Sequence, residues 1–429
     1  MQECTAAFLQ GNLCPVSLLL FPQILLTFPH KSIPKPSYIP LPKLQPHVYG
    51  GRTLPCASAA LENVGTWAVY STALCTATFS TERKHPQSRR QGTPSPCRQG
   101  GGRGLTLVGP TGRTVRNIGI VKKSNNGYNI RIMCEGIEMK VLVTGVKGQL
   151  GYDVVKELQK RGHEAVGVDV ADMDITDENQ VNRVVEGVAP DAVIHCAAYT
   201  AVDAAEDNVE LCRKVNVTGT EYIAKICKKL DIKMIYISTD YVFGGDGEKP
   251  WEPDDEKDPK SVYGLTKYEG ELAVQKQLEK YFIVRIAWVF GLNGKNFVKT
   301  MLRLAETHTE LTVVNDQFGS PTYTYDLARL LVDMVETEKY GVYHATNEGI
   351  CSWYEFACAI FEQAGLGDKI TVKPVTTAEY GAKATRPYNS RMSKEKLTEN
   401  GFERLPSWQD ALSRYLKEIK NEQNQAAQE

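Results

Sequence analysis

The chain has 429 residues, a formal net charge of −1 and 24% charged residues, a length that allows two or three domains. The near-balance of acid and base argues against a nucleic-acid partner, which calls for a basic excess. The unbroken run of about 20 apolar residues that a membrane span prefers is also missing, so no membrane partner is expected.

The average conceals a division. Residues 1–138 hold 15 Lys or Arg, five Glu and no Asp, together with 13 of the 21 prolines and six of the 11 cysteines. Phe8–Phe28 is apolar but broken by Asn12, Pro15 and Pro22, and Glu3 stands where a signal peptide carries base. Lys31–Pro42 suits a polyproline helix for an SH3-like partner, or plain disorder. Residues 83–103 are rich in Arg, Gln, Gly and Pro and read as disordered. The region is expected to be a disordered or non-native extension, or an appended leader, with Met139 or Met133 as the working start. From Met139 on, the composition is that of an enzyme with acids in excess. Its five cysteines, Cys196, Cys212, Cys227, Cys351 and Cys358, form no CxxC pair. Scattered thiols of this kind point to a cytoplasmic setting without a disulfide framework or zinc site.

Lys140–Thr144 is a short β-branched apolar run and predicts a strand. Gly145-Val-Lys-Gly148-Gln-Leu-Gly151 follows, then a helix over Tyr152–Arg161 and a strand over Glu164–Asp169. In this context Gly145 permits a tight turn, Gly148 lets backbone approach a pyrophosphate, and Gly151 lets the helix pack close to the sheet. Gln149 and Leu150 belong to the same candidate site, where the helix N-terminus offers N–H donors to phosphate. The spacing is Gly-x-x-Gly-x-x-Gly, and Asp169 lies 24 residues past Gly145. Its carboxylate can accept from ribose hydroxyls and repels a 2′-phosphate, which favours NADH over NADPH. Asp174 is placed near the adenine, and Asp177 can cap a helix over Glu178–Gly187. Asp191–Ala198 predicts a strand whose small end, Ala197 and Ala198 before Tyr199, lies against the cofactor. His195 within it reads as a satisfied core histidine. A helix over Val209–Leu230 carries Asn216, which can order backbone near the site.

The strand Ile232–Ser238 delivers Ser238 and Thr239 at its C-terminal end, where open α/β sheets bind ligands. Tyr263 and Lys267 are four apart and share a helix face. A carbonyl that accepts hydride becomes an alkoxide and needs a proton. Tyrosine, with a free pKa near ~10, is a poor acid-base at neutral pH, and a neighbouring ammonium stabilises its phenolate form. Thr239 can hydrogen-bond the substrate oxygen. Further on, helices are predicted over Asn296–His308 and Asp326–Glu338, with strands at Leu311–Val314, Tyr343–Thr346 and Ile370–Val375. Ser352 and Glu355 form a capping box for a helix Trp353–Ala364, whose Trp353, Phe356 and Phe361 read as core. Trp408–Ile419 closes the fold, and 421–429 reads as a frayed polar tail.

With Cys196–Thr200, Ser238–Phe243, Arg285–Phe290, Asp316–Thr322 and Arg386–Arg391, these segments resemble the extended short-chain dehydrogenase/reductases over residues 139–420. Within that family they resemble the dTDP-4-dehydrorhamnose reductases. The resemblance implies an α/β, Rossmann-type doubly wound parallel sheet with a smaller C-terminal α/β substrate domain. Residues 139–290 would mainly hold NAD(P) and the catalytic groups. Residues 291–420 would mainly hold the substrate, with some elements returning to the first domain. It further implies a Thr239–Tyr263–Lys267 triad, sugar contacts from Asp240 and Trp288, and Asn296 and Arg391 in the substrate region near the diphosphate. The expected reaction is reduction, by NADH or NADPH, of the C4 keto group of a dTDP-linked 4-dehydro-6-deoxysugar. Some members are Mg²⁺-assisted homodimers, so Mg²⁺ and a homodimer are further expectations. Sister 4,6-dehydratases carry Thr-Asp-Glu where Tyr241 stands third here, so elimination would lack its base. Two alternatives stand beside reduction: another NDP-sugar reductase or epimerase of the family, and a non-catalytic subunit resembling the methionine adenosyltransferase β-subunit.

Overall fold

The apolar runs that follow Met139 pair side by side as parallel strands, the inner ones buried on both faces. The computed structural model describes residues 138–426 and, before them, one antiparallel pair of two-residue strands, Leu107–Val108 with Thr114–Val115. All other expectations for 1–138 fall outside the described residues. Among the described residues, no helix is long and apolar enough to cross a membrane.

The central sheet contains β1 (Lys140–Thr144), β2 (Glu164–Val168), β3 (Ala192–His195), β4 (Lys233–Thr239), β5 (Tyr281–Ile286) and, later in the chain, β7 (Gly341–His344). Their order is β7-β5-β4-β3-β1-β2, with every pair parallel. Parallel strands joined by crossover helices are covered on both sides, so they read as continuous apolar runs rather than alternating ones. Alternate residues of β1 serve opposite cores. Val141 and Val143 join Val154 and Leu158 of α1 (Gln149–Lys160) and Leu327 and Leu331 of α6 (Thr324–Val335). Leu142 joins Val181 and Val185 of α2 (Glu178–Val188), Ile223 and Cys227 of α3 (Thr220–Lys229), and Val274 of α4 (Val262–Gln277).

A third core gathers Phe290, Val298, Met301, Phe356, Ile360, Phe361, Trp408 and Leu412. It lies among α5 (Phe297–Leu304), α7 (Trp353–Ala364), α8 (Trp408–Ala426) and the parallel pair β6 (Glu310–Val314) and β8 (Thr371–Val375). The chain does not stay in this half: α6 and β7 return to the central sheet and its first core. From Met139 on the described chain is one compact unit.

Among the boundaries that differ from the sequence reading, four stand out. Helix α1 starts at Gln149 rather than Tyr152, because Gly148 takes the extended N-cap conformation (φ −82°, ψ 174°) and the first turn is wound from the motif itself. Strand β3 stops at His195 and leaves Cys196–Ala198 as irregular chain. The helix predicted over Val209–Leu230 is interrupted by a π-helical turn, Lys214–Gly219, that carries Asn216. Such turns cluster at functional sites because they re-aim a side chain. Residues 421–426, expected to fray, continue α8 to Ala426. Both caps are present: Asp177 accepts from the amides of Asn179 and Gln180, and Ser352 and Glu355 close a capping box.

Candidate active site

From β1 the chain steps outward to β2, then crosses back to β3 on the other side of β1. Open sheets form a ligand crevice at the C-terminal edge where the order reverses in this way. A cleft of about 880 Å³ lies there, lined by the ends of β1, β2, β3 and β4 and by residues of α4 and α7.

At the glycine-loop end the wall is backbone. Gly145 has φ +72°, and a Cβ there would stand 2.8 Å from the backbone N and Cα of Ala197. A Cβ on Gly151 would stand 2.4 Å from the carbonyl oxygen of Gly145. The helix start is thus pressed onto the loop. Its N-cap offers no side-chain acceptor and its first turn no acid, so its N–H groups suit the pyrophosphate of a dinucleotide. Gly145, Gly148, Gln149, Leu150, Asp169, Asp174, Ala197 and Ala198 all line the cleft. Asp169 is fixed at the end of β2, accepting from the amides of Lys147 and Val170 at 2.9 Å each. Asp174 accepts from the amide and hydroxyl of Thr176. Tyr199 is absent from the wall; Asn216 clamps its peptide, accepting from its N–H at 2.8 Å and donating to its carbonyl at 3.2 Å. The same amide donates to Thr266 at 3.1 Å, between the two proposed catalytic residues of α4.

Thr239, Tyr263 and Lys267 lie together in the middle of the cleft. Thr239 ends β4. Tyr263 and Lys267 occupy the first two turns of α4, whose cap Ser261 accepts from the amide of Gly264 at 3.1 Å. Burial pushes the Lys267 ammonium down to about 7, against the opposing pull of Glu271. Its Nζ stands 4.1 Å from the centroid of the Tyr236 ring. Burial pushes the Tyr263 phenol well above its ordinary range, against a hydrogen bond with Thr239, so it stays protonated at neutral pH, as a proton donor must. His195 is a satisfied core residue: it pairs with the hydroxyls of Thr144 (2.7 Å) and Thr220 (3.1 Å), and burial pushes it down to about 3.

The opposite end of the cleft is built from side chains. Asp240 is only 3% exposed. Its carboxylate accepts from Thr239 at 2.8 Å and from Ser390 at 2.5 Å, and burial pushes it up to about 6. Trp288 holds φ +51°, a costly conformation for a bulky residue. Three contacts maintain it: Thr322 donates its amide to the Trp288 carbonyl (3.1 Å) and its hydroxyl to the Ala287 carbonyl (2.6 Å), and Gly319 leaves room for the indole. The ring stacks on Trp353 with centroids 3.8 Å apart and planes at 15°.

Several placements differ from expectation. Phe356 and Phe361 are core, but Trp353 is half-buried and forms cleft wall, because it opens the first turn of α7 at the edge of the third core. Asn296 lies outside the wall. It caps α5, accepting from the amide of Lys299, and its NH₂ serves Gly291, Tyr415 and Gln149; it reaches the cleft only through Gln149. Arg391 also lies outside, bound to Asn389 at 3.0 Å and stacked 4.6 Å over the Phe318 ring. Lys147, Tyr241, Lys295 and Trp353 line the cleft without having been singled out as contacts. Lys147 was legible from its place in the glycine motif; Lys295 and Trp353 carried no local signal. Among the described residues, no group of three or more His, Cys, Asp or Glu is arranged to hold a metal ion.

Known proteins resemble the chain across this unit. The family described as RmlD substrate binding domain matches residues 139–421. The spore coat polysaccharide biosynthesis protein SpsK of Bacillus subtilis is 43% identical over 279 residues, covering 65% of this chain and 97% of the relative. The dTDP-4-dehydrorhamnose reductase of Aggregatibacter actinomycetemcomitans is 40% identical over 286 residues, covering 64% and 97%. A crystal structure of the Bacillus anthracis dTDP-4-dehydrorhamnose reductase in complex with NADP superposes with a TM-score of 0.64 at 42% identity, covering 66% of this chain and all of that one.

Proposed function

The chain belongs to the RmlD family of dTDP-4-dehydrorhamnose reductases, and from that premise we propose that it reduces the C4 keto group of dTDP-4-dehydro-β-L-rhamnose to give dTDP-L-rhamnose. The observation that carries this reading is the meeting of Thr239, Tyr263 and Lys267 in one cleft with the glycine loop.

A bound NAD(P)H supplies hydride to the carbonyl carbon. The residues of the chain handle the proton and the orientation. The Tyr263 phenol donates its proton to the developing alkoxide, and the Thr239 hydroxyl steadies that oxygen. The Lys267 ammonium lowers the cost of the phenolate left behind. Asp240 and the Trp288–Trp353 stack hold the sugar, while the first turn of α1 holds the pyrophosphate. Residues 139–290 thus serve mainly the cofactor and the chemistry, and 291–420 mainly the sugar nucleotide. Asp169, fixed at the ribose end, favours NADH. Lys147 beside it tempers the preference, so NADPH is a poorer substrate rather than an excluded one.

The test follows the loss of NADH absorbance with enzymatically made dTDP-4-dehydrorhamnose, with NADPH and other NDP-4-keto sugars in parallel. Removing a general acid costs about 10²–10⁴ in rate. Tyr263→Phe should fall by that factor in kcat and keep its NADH affinity. Equal rates for wild type and Tyr263→Phe would sink the mechanism. Retained NADH binding without turnover of any sugar would instead identify a non-catalytic member of the fold.

A further inference from the structure

Behind the triad lies a buried ion pair that the proposed chemistry does not use. Glu271 stands one turn after Lys267 on α4 and is 1% exposed. Its Oε1 accepts from Ser238 Oγ at 2.5 Å and from Arg285 Nε at 2.8 Å, and its Oε2 accepts from Arg285 Nη2 at 2.7 Å. Arg285, on β5, is 2% exposed and also donates to the carbonyl of Pro253 at 2.8 Å. Its Nη1 lies 3.3 Å from His344 Nε2 on β7. Ser238 precedes Thr239 on β4. One carboxylate therefore ties the helix of Tyr263 and Lys267 to the strand of Thr239, and both to β5.

We propose that Glu271 is a positioning residue for the reduction: braced by Arg285 and Ser238, it holds α4 in register with the end of β4 and supplies the negative charge that keeps Lys267 an ammonium. This rests on the reductase reading. A buried pair stabilises little by itself, because desolvation offsets its attraction, so its position beside the triad calls for another role. Facing Lys267 are Tyr263 and Glu271 from its own helix, Tyr236 from β4, His195 and Cys196 at the end of β3, and Cys212 before the π turn; Asp240 shares the cleft, and Arg285 stands on Glu271 from β5. Burial keeps the thiols of Cys196 and Cys212 and the imidazole of His195 neutral. Of the groups that pull the Lys267 ammonium back up against burial, Glu271 acts most strongly.

The test measures NADH binding by fluorescence and kcat/KM, each from pH 5.5 to 9.5, on the full chain. Wild type, Glu271→Gln, Glu271→Asp and Ser238→Ala are compared. Losing a nearby negative charge lowers the pH at which Lys267 deprotonates, so the alkaline limb should move down by about one pH unit in Glu271→Gln, with a fall in kcat. Glu271→Asp keeps the charge but shortens the brace; its limb should stay in place while kcat falls. Ser238→Ala leaves the Glu271–Arg285 pair and should lower kcat by severalfold with a small limb shift, which carries the test if Glu271→Gln does not fold. A folded Glu271→Gln, or failing that Ser238→Ala, with the limb and kcat of wild type overturns the proposal. NADH binding reads Lys267 without any sugar, so a wrong substrate leaves this limb intact and is told apart from a wrong role for Glu271.

Discussion

The two ends of the cleft are made in different ways. The glycine-loop end is largely contiguous chain: Gly145 through Gly151 supplies turn, amides and helix start, and residues such as Asp169, Asp174 and Ala197–Ala198 join from the segments that follow β2 and β3. Its recognition elements are mostly backbone, and its tolerances are set by the absence of side chains. The opposite end assembles Asp240, Trp288, Trp353 and Ser390, which span 150 residues, and it is made of side chains held by strain, stacking and hydrogen bonds. A backbone site fails when an atom is added. A side-chain site fails when one is removed.

That contrast can be broken by substitution at either end. The largest effect is expected from Gly151→Ala, whose Cβ would meet backbone at 2.4 Å. Overpacking of this kind costs about 1–3 kcal/mol, enough to weaken NADH binding by tenfold to about 100-fold. Isothermal titration with NADH checks it, and unchanged affinity would mean that the loop yields freely. Next, Trp353→Ala unstacks Trp288, a loss of about 1.5 kcal/mol beyond area. It should lower kcat/KM for the sugar nucleotide about tenfold while NADH affinity holds. A parallel loss of NADH affinity would show that the two ends are not separable.

The pH profile sharpens the same division. Lys267 loses its proton as pH rises through about 7, and Asp240 gains one as pH falls through about 6. The log of kcat/KM, which reports the free enzyme, should therefore fall on both sides of a narrow neutral optimum. Asp240→Asn should remove the acid limb and leave the alkaline one; an acid limb that survives this change assigns it to another group. The smallest effect is expected from Asn296→Ala. Loss of the α5 cap should cost about 1 kcal/mol of stability, read in a melting curve, with the KM for the sugar nucleotide nearly unchanged. A large rise in that KM would return Asn296 to the substrate site.

Most of the architecture was legible because parallel strands buried on both faces leave unbroken apolar runs, and because caps such as Asp177 and Ser352 act on amides two or three residues away. The π turn was not legible. Nothing in Lys214–Gly219 breaks helical periodicity; the widened turn is held by what Asn216 bonds across space, the peptide of Tyr199 and the hydroxyl of Thr266. Asn296 and Arg391 lie outside the cleft wall for a related reason. Their chemistry suits phosphate, but the partners that occupy them, Lys299, Tyr415, Asn389 and Phe318, are set by helix start and packing.

Sequence by itself determined the elements whose cause is local: the strand and glycine turn at 140–151, the i, i+4 spacing of Tyr263 and Lys267, and the strand end that carries Thr239. Short-range sterics and hydrogen bonds decide these, and they need no knowledge of the remainder of the chain. Only the tertiary structure decided that Trp353 would form cleft wall, that Trp288 would be held at positive φ, and that Glu271, Arg285 and Ser238 would meet behind Lys267. Those outcomes depend on which surfaces are buried against which. Burial is a property of the assembled layers, and it also sets the charge states of Lys267 and Asp240 on which the proposed chemistry rests.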